Sequence, residues 1–126
     1  MTMLCIFCNL PLQRVWFEEK NVLVLRDAYP ISNGHSLIIP KRHVQSIFEL
    51  NEDEISDVFL ALKKAKNEIH TNLKPDGFNL GINDGVAAGQ TVMHLHIHLI
   101  PRFLGDIDDP RGGVRWIFPE KAKYWQ

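Results

Sequence analysis

Apolar and polar positions along the chain change period more than once, and the changes divide it into elements. Arg14-Val15-Trp16-Phe17-Glu18-Glu19 and Val22-Leu23-Val24-Leu25-Arg26 are short runs rich in β-branched and aromatic residues. Lys20-Asn21 joins them, which predicts a β-hairpin. Tyr29-Pro30-Ile31-Ser32-Asn33-Gly34 is turn chemistry, because Pro presets φ and Asn-Gly tolerates positive φ. His35-Ser36-Leu37-Ile38-Ile39-Pro40 predicts another strand, closed by its proline. Between Asn51 and Asn72 the spacing becomes helical, with Ile55, Val58, Phe59, Leu62, Ala65 and Ile69 forming an apolar stripe. Asn51 and Glu54 read as a capping box, and Glu52 and Asp53 load the positive helix end. Lys63, Lys64, Lys66 and His70 lie towards the other end, where cations are favoured. Pro75-Asp76-Gly77 makes a turn, after which Gly77 to Asn83 alternates as a strand. Val92 to Ile100 reads as a last strand stopped by Pro101, and the tail beyond Arg102 looks irregular. Trp16, Phe17 and Phe78 read as core. This order predicts an α+β fold with an antiparallel sheet.

Composition narrows the class. A chain of 126 residues suits one domain, residues 1–126, and 45% hydrophobic with 23% charged residues excludes global disorder. Fourteen Lys and Arg against fifteen Asp and Glu, a net charge of -1, leave no basic footprint for nucleic acid and no polybasic membrane signal. No apolar run approaches the roughly 20 residues of a membrane span, and the start lacks a signal-peptide pattern. A cytoplasmic protein without nucleic-acid or membrane partners is expected. Six histidines, and two cysteines three positions apart, remain to be explained.

The histidines concentrate in His94-Leu95-His96-Ile97-His98-Leu99. On a strand, this alternation puts three imidazoles on one face and three aliphatic side chains on the other. Two chemistries fit: a His-X-His metal pair, or a nucleophilic histidine whose neighbours orient it and supply protons. The small residues from Gly85 to Gln90 favour the second, since such a loop lets phosphate approach backbone closely. No P-loop lysine pattern is present.

The whole set resembles the histidine triad nucleotide hydrolases and transferases. The resemblance rests on His94 to Ile100, Asp27-Ala28-Tyr29-Pro30, Gly34 to Lys41, Asn83-Asp84-Gly85 and Gly89-Gln90-Thr91, in order, from about Cys5 to Arg102. It implies a five-stranded antiparallel sheet with one long and one short helix, a tail over 103–126, and a homodimer. It implies His96 as the nucleophile at an α-phosphorus, through a covalent nucleotidyl-histidine. His98 would hold a phosphate oxygen and help protonate the leaving group. His94 would contact the His96 ring and keep its tautomer, and His35 would extend the chain. Asp27 would accept from the ribose hydroxyls. Asn83, Gln90 and Thr91, helped by the Gly89 backbone, would contact phosphate or leaving-group oxygens, and Ile6, Phe7 and Leu25 would hold a purine. No organic cofactor is implied.

The block from Gly77 to Arg102, with Gly105-Asp106 and Arg111 to Arg115, resembles members described as diadenosine polyphosphate hydrolases. Arg111 and Arg115 are then candidates for distal phosphates. Phosphoramidase and nucleotidyl-transferase branches share the same attack. A zinc-stabilised nucleotide-binding module without catalysis is the reading of another class. Tyr124 and Trp125 read either as reaching a partner subunit's site or as a disordered end.

Cys5-X-X-Cys8 alone reads as an accidental apolar pair, a redox pair or half of a metal site. The resemblance adds His43 and His94 to the cysteines as a structural zinc site, pinning the N-terminus to the triad strand.

Overall fold

The computed structural model describes residues 4–126. Five strands form one antiparallel sheet in the order β1-β2-β3-β5-β4. They are β1 (Val15–Glu18), β2 (Val22–Arg26), β3 (Ser36–Pro40), β4 (Gly77–Gly81) and β5 (Ile97–Arg102). The hairpin β1–β2 forms where the sequence places it, with a register irregularity between Val15 and Phe17. Alternation then splits the strands between two cores. Val22, Val24, Ile38, Ile97 and Leu99 meet the helix on one face, with Trp16, Phe17 and Phe78 packed against that cluster. Leu25, Leu37, Ile39 and Phe7 form a smaller cluster on the other face, beneath the histidines.

Helix α1 (Glu52–Leu73) starts at the expected capping box: Asn51 Oδ1 accepts from Glu54 N, and Glu54 Oε1 accepts from Asn51 N, both at 2.9 Å. Its contact face differs from the expected stripe. Val58, Ala61, Ala65 and Ile69 are buried, whereas Ile55 and Phe59 are 52% and 63% exposed. Ala61 and Ala65 let the helix axis come close to the sheet, and the close approach selects the face centred on them rather than on the larger side chains.

Two strand limits also differ. Val92 to His96 is not strand, because its groups are used elsewhere: Leu95 N donates to Val44 O at 2.7 Å and Val92 O accepts from Gln90 Nε2 at 3.1 Å. Pro101 does not stop β5 but pairs with Phe78. The β3 pairing ends at Leu99, so beyond it β5 has only one neighbour and a residue lacking N–H is tolerated.

The tail is ordered rather than irregular, forming a 3-10 turn (Gly113–Ile117) and the short helix α2 (Pro119–Ala122). Arg115 clamps the carbonyls of Lys121 and Ala122 at 2.7 and 2.9 Å, and Trp116 Nε1 donates to Arg111 O at 2.8 Å. Trp125 lies against the Arg111 guanidinium and Tyr124 against Arg115, so these aromatics close the chain's own tail. No helix among the described residues is long and apolar enough to cross a membrane.

Candidate active site

The face of the sheet opposite α1 carries a cavity of about 950 Å³, lined by Ile6, Phe7, Asp27, His35, Asn83, Gly89, Thr91, His96 and His98 among others. Three of its histidines have their protons assigned by fixed partners. His96 Nδ1 lies 2.9 Å from the main-chain carbonyl of His94. A carbonyl only accepts, so Nδ1 carries the proton and Nε2 keeps its lone pair. The carbonyl of His94, and not its ring, therefore sets the His96 tautomer. Phe7 packs edge-on against the rings of both His94 and His96, at 5.9 and 5.2 Å.

His98 has the opposite tautomer. Ile31 N–H donates to His35 Nδ1 at 3.2 Å, which places the His35 proton on Nε2. That N–H points at His98 Nδ1, 2.9 Å away, and leaves His98 with its proton on Nε2. Asp27 Oδ2 stands 3.3 Å from His35 Nε2 and 3.8 Å from His98 Nδ1, while its Oδ1 accepts from Tyr29 N. Burial pushes both imidazoles below their ordinary pKa. Asp27 opposes the shift in both rings, and the neighbouring His35 and His96 add to it at His98. The cavity thus contains one bare imidazole nitrogen beside one imidazole N–H, with the two ring centroids 5.4 Å apart.

His94 faces away from this pair. Its Nε2 donates to Pro40 O at 2.8 Å, so Nδ1 offers a lone pair to a second cluster. There Cys5 Sγ and Cys8 Sγ each lie 3.5 Å from His94 Nδ1. His43 Nδ1 lies 3.2 Å from both His94 Nδ1 and Cys8 Sγ. A tetrahedral zinc with ordinary bond lengths needs about 3.3 Å between nitrogens and about 3.6 Å between nitrogen and sulfur. The four donors fit such an ion. His43 is carried by a loop that Arg42 anchors, through two bonds to Glu54 at 3.0 and 2.8 Å.

Several expected contacts fall elsewhere. Gln90 is 3% exposed and spends its amide on Gly85 N, Gln45 O and Val92 O, so it braces the loop that walls the cavity. Gly89 N–H is bonded to Val86 O; its contribution to the cavity is a missing side chain at φ +96°. Leu25 is buried in the sheet core, and Leu37 occupies the wall position instead. Arg111 is paired with Asp109 and Arg115 with tail carbonyls, and neither lines the cavity. The roles of Ile31 N–H and of the Pro40 and His94 carbonyls were invisible in the sequence, because main-chain groups carry no residue signature.

The HIT domain family model matches residues 12–105. A HIT-like protein of Methanocaldococcus jannaschii is 38% identical over 108 residues, covering 82% of each chain. The asymmetrical bis(5'-nucleosyl)-tetraphosphatase of Schizosaccharomyces pombe is 36% identical over 96 residues, 76% of this chain and 53% of that one. The crystal structure of a zinc-bound histidine triad protein from Mycobacterium smegmatis superposes with a TM-score of 0.74 at 34% identity, covering 84% of this chain and 80% of that one. With the family model spanning most of the chain and relatives matching over most of its length, the chain belongs to the HIT domain family.

Proposed function

We propose that the cavity binds an adenine nucleotide derivative and that His96 attacks its α-phosphorus. The observation that carries this reading is the bare Nε2 of His96 set beside the Nε2–H of His98 in one cavity, each held by fixed partners. In the first step the His96 Nε2 lone pair forms a bond to phosphorus while the bond to the leaving atom breaks. Charge arising on the His96 ring is met by the His94 carbonyl at Nδ1–H. His98 Nε2–H meets charge on a phosphate oxygen or the leaving atom. Asp27, facing both rings, offsets part of the burial cost when the His35–His98 pair takes up one solvent proton during the reaction, and this proton passes to the leaving atom. In the second step water attacks phosphorus and gives its proton to the His35–His98 pair, from which it returns to solvent, while the N–P bond breaks and its electron pair returns to His96 Nε2; a nucleoside monophosphate leaves with His96 restored. Ile6 and Phe7 form the apolar wall suited to the base, and Asp27 and Thr91 offer polar atoms to ribose and phosphate.

Mass spectrometry of protein quenched during turnover tests this: a nucleotidyl adduct on His96 is expected. Binding with neither adduct nor turnover, across phosphoramidates and dinucleoside polyphosphates, would favour the non-catalytic module.

In the same reading Cys5, Cys8, His43 and His94 hold a structural zinc ion, which supplies charge and cross-linking but no step of the reaction. Metal analysis of protein purified without chelator checks it. A homodimer is also proposed, since β4 leaves one edge unpaired and Ile55 and Phe59 lie exposed on α1. Light scattering reads this directly.

A further inference from the structure

Among the described residues that line the cavity, Arg14 is the one lysine or arginine, and no step of the reaction uses it. It ends the 3-10 turn Leu12–Arg14 and leads into β1. Its Nη2 donates to Arg26 O at 3.0 Å, which ties the half-buried guanidinium to the end of β2. A guanidinium carries five N–H donors and no acceptor. The other four have no partner among the described residues. Arg42, Arg102 and Arg111, by contrast, are each clasped by a carboxylate.

Strand register fixes how far this cation stands from the chemistry. Val15, Leu25, Leu37 and His98 lie in one row across β1, β2, β3 and β5. Strands are about 4.8 Å apart, so the end of β2 lies about 10 Å from β5, two gaps away. Arg14 approaches Arg26 O from the β1 side, farther still. The α-phosphorus held between His96 and His98 is therefore out of its reach. What lies within reach is the nucleoside. Arg26 immediately precedes Asp27, and the N-terminal segment lines the same cavity from Phe7 through Leu10 and Pro11 to Arg14. The Phe7 ring marks the reacting end of that wall, packed on His96 at 5.2 Å. A base laid along the wall, with its ribose at Asp27, turns its outer edge towards Arg14.

We infer that Arg14 reads this edge and selects a 6-oxopurine, guanine or hypoxanthine, over adenine. The inference rests on the nucleotidyl-transfer reading above and deepens it at the base: adenine nucleotides enter along the apolar wall but bind less tightly. Guanine and hypoxanthine present two acceptors side by side, O6 and N7, which match two parallel N–H groups of a guanidinium. Adenine presents N7 beside its N6 amino group, itself a donor. Two donors brought face to face lose hydration without gaining a bond. A further phosphate on the ribose would instead face the like charge of Asp27. Arg14 is a specificity residue in this scheme and touches no reacting atom.

Isothermal titration calorimetry tests this on protein purified without chelator, with GMP, IMP, AMP and adenosine 3',5'-bisphosphate as ligands. The nucleoside monophosphates are products of the proposed reaction, so binding is read without turnover. GMP and IMP are expected to bind about tenfold more tightly than AMP, and within about twofold of each other. Arg14→Ala should bring the GMP-to-AMP affinity ratio to about one. Arg14→Gln should bring it to one or below, because a carboxamide both donates and accepts and can pair with N6 and N7 of adenine. A parent ratio near one, or a ratio that survives in either variant, overturns the inference and leaves the nucleotide reading standing. Tighter binding of GMP without IMP places the selection at the 2-amino group and overturns the O6/N7 contact. Tighter binding of the bisphosphate than of GMP gives Arg14 to a ribose phosphate and overturns it as well. If neither GMP nor AMP binds, the nucleotide reading falls and this inference with it.

Discussion

Among the described residues, two groups of side chains bring metal-type donors within 4.8 Å of one another, Cys5/Cys8/His43/His94 and Asp27/His35/His98, and they use that proximity differently. In the first, the far nitrogen of His94 is consumed by Pro40 O, so the near one presents a lone pair beside two sulfurs. In the second, the far nitrogen of His35 accepts from Ile31 N–H, so the near one presents a proton. Placing a cation on that Nε2 would force the ring proton to Nδ1, against the Ile31 donor. The first group suits an ion and the second a proton chain. The lesson is that donor spacing does not distinguish them; the hydrogen bond at the remote ring nitrogen does.

The largest expected effect lies where the two groups meet, at residue 96. His96→Ala should lower kcat by at least about a thousandfold, while His96→Asn retains nucleotide binding by calorimetry. Turnover at the parent rate in the Ala variant would break the reading of Nε2 as nucleophile. The next effect separates the two clusters. Cys8→Ser should abolish stoichiometric zinc and lower Tm by about 10 °C or more, whereas Asp27→Asn should leave zinc content unchanged. Loss of metal from the Asp27 variant would erase the contrast.

His35→Gln should cost about ten- to a hundredfold in kcat with little change in Kd, and should displace the acid limb of the pH–rate profile. An unchanged profile would remove the proton chain from the mechanism. The smallest effect is on stability. Burial keeps His35 and His98 neutral in the folded protein, whereas unfolded imidazoles titrate near 6.5. The unfolded chain therefore binds more protons below that pH, and stability present above it declines as pH falls. Denaturant midpoints measured between pH 7.5 and 5.5 should fall in the parent and fall less in His35→Gln.

Part of the site was legible from the start. The His-X-His-X-His run pointed to His96 and His98, which share the cavity, but strand alternation did not hold at His94, which precedes β5 and faces the other cluster; the Cys5-X-X-Cys8 spacing, with the family resemblance, pointed to His43 and His94. Gln90 and Leu25 are buried and do not line the cavity, a placement the sequence could not show because residue type cannot say which way a side chain faces. A buried glutamine bracing a loop and an exposed one reaching phosphate look the same in a sequence. For α1, periodicity marked the helix and its cap but not the contact face, since Ala61 and Ala65 give a weak apolar signal yet permit the closest packing.

The sequence by itself determined the elements, the capping box, the hairpin and the inventory of chemical groups, because these depend on residues near in the chain. Tertiary structure decided which ring nitrogen carries each proton and which cluster suits a metal. Those outcomes hang on Pro40 O, His94 O and Ile31 N–H, which are main-chain groups identical in chemistry at every position and made specific only by where the fold puts them.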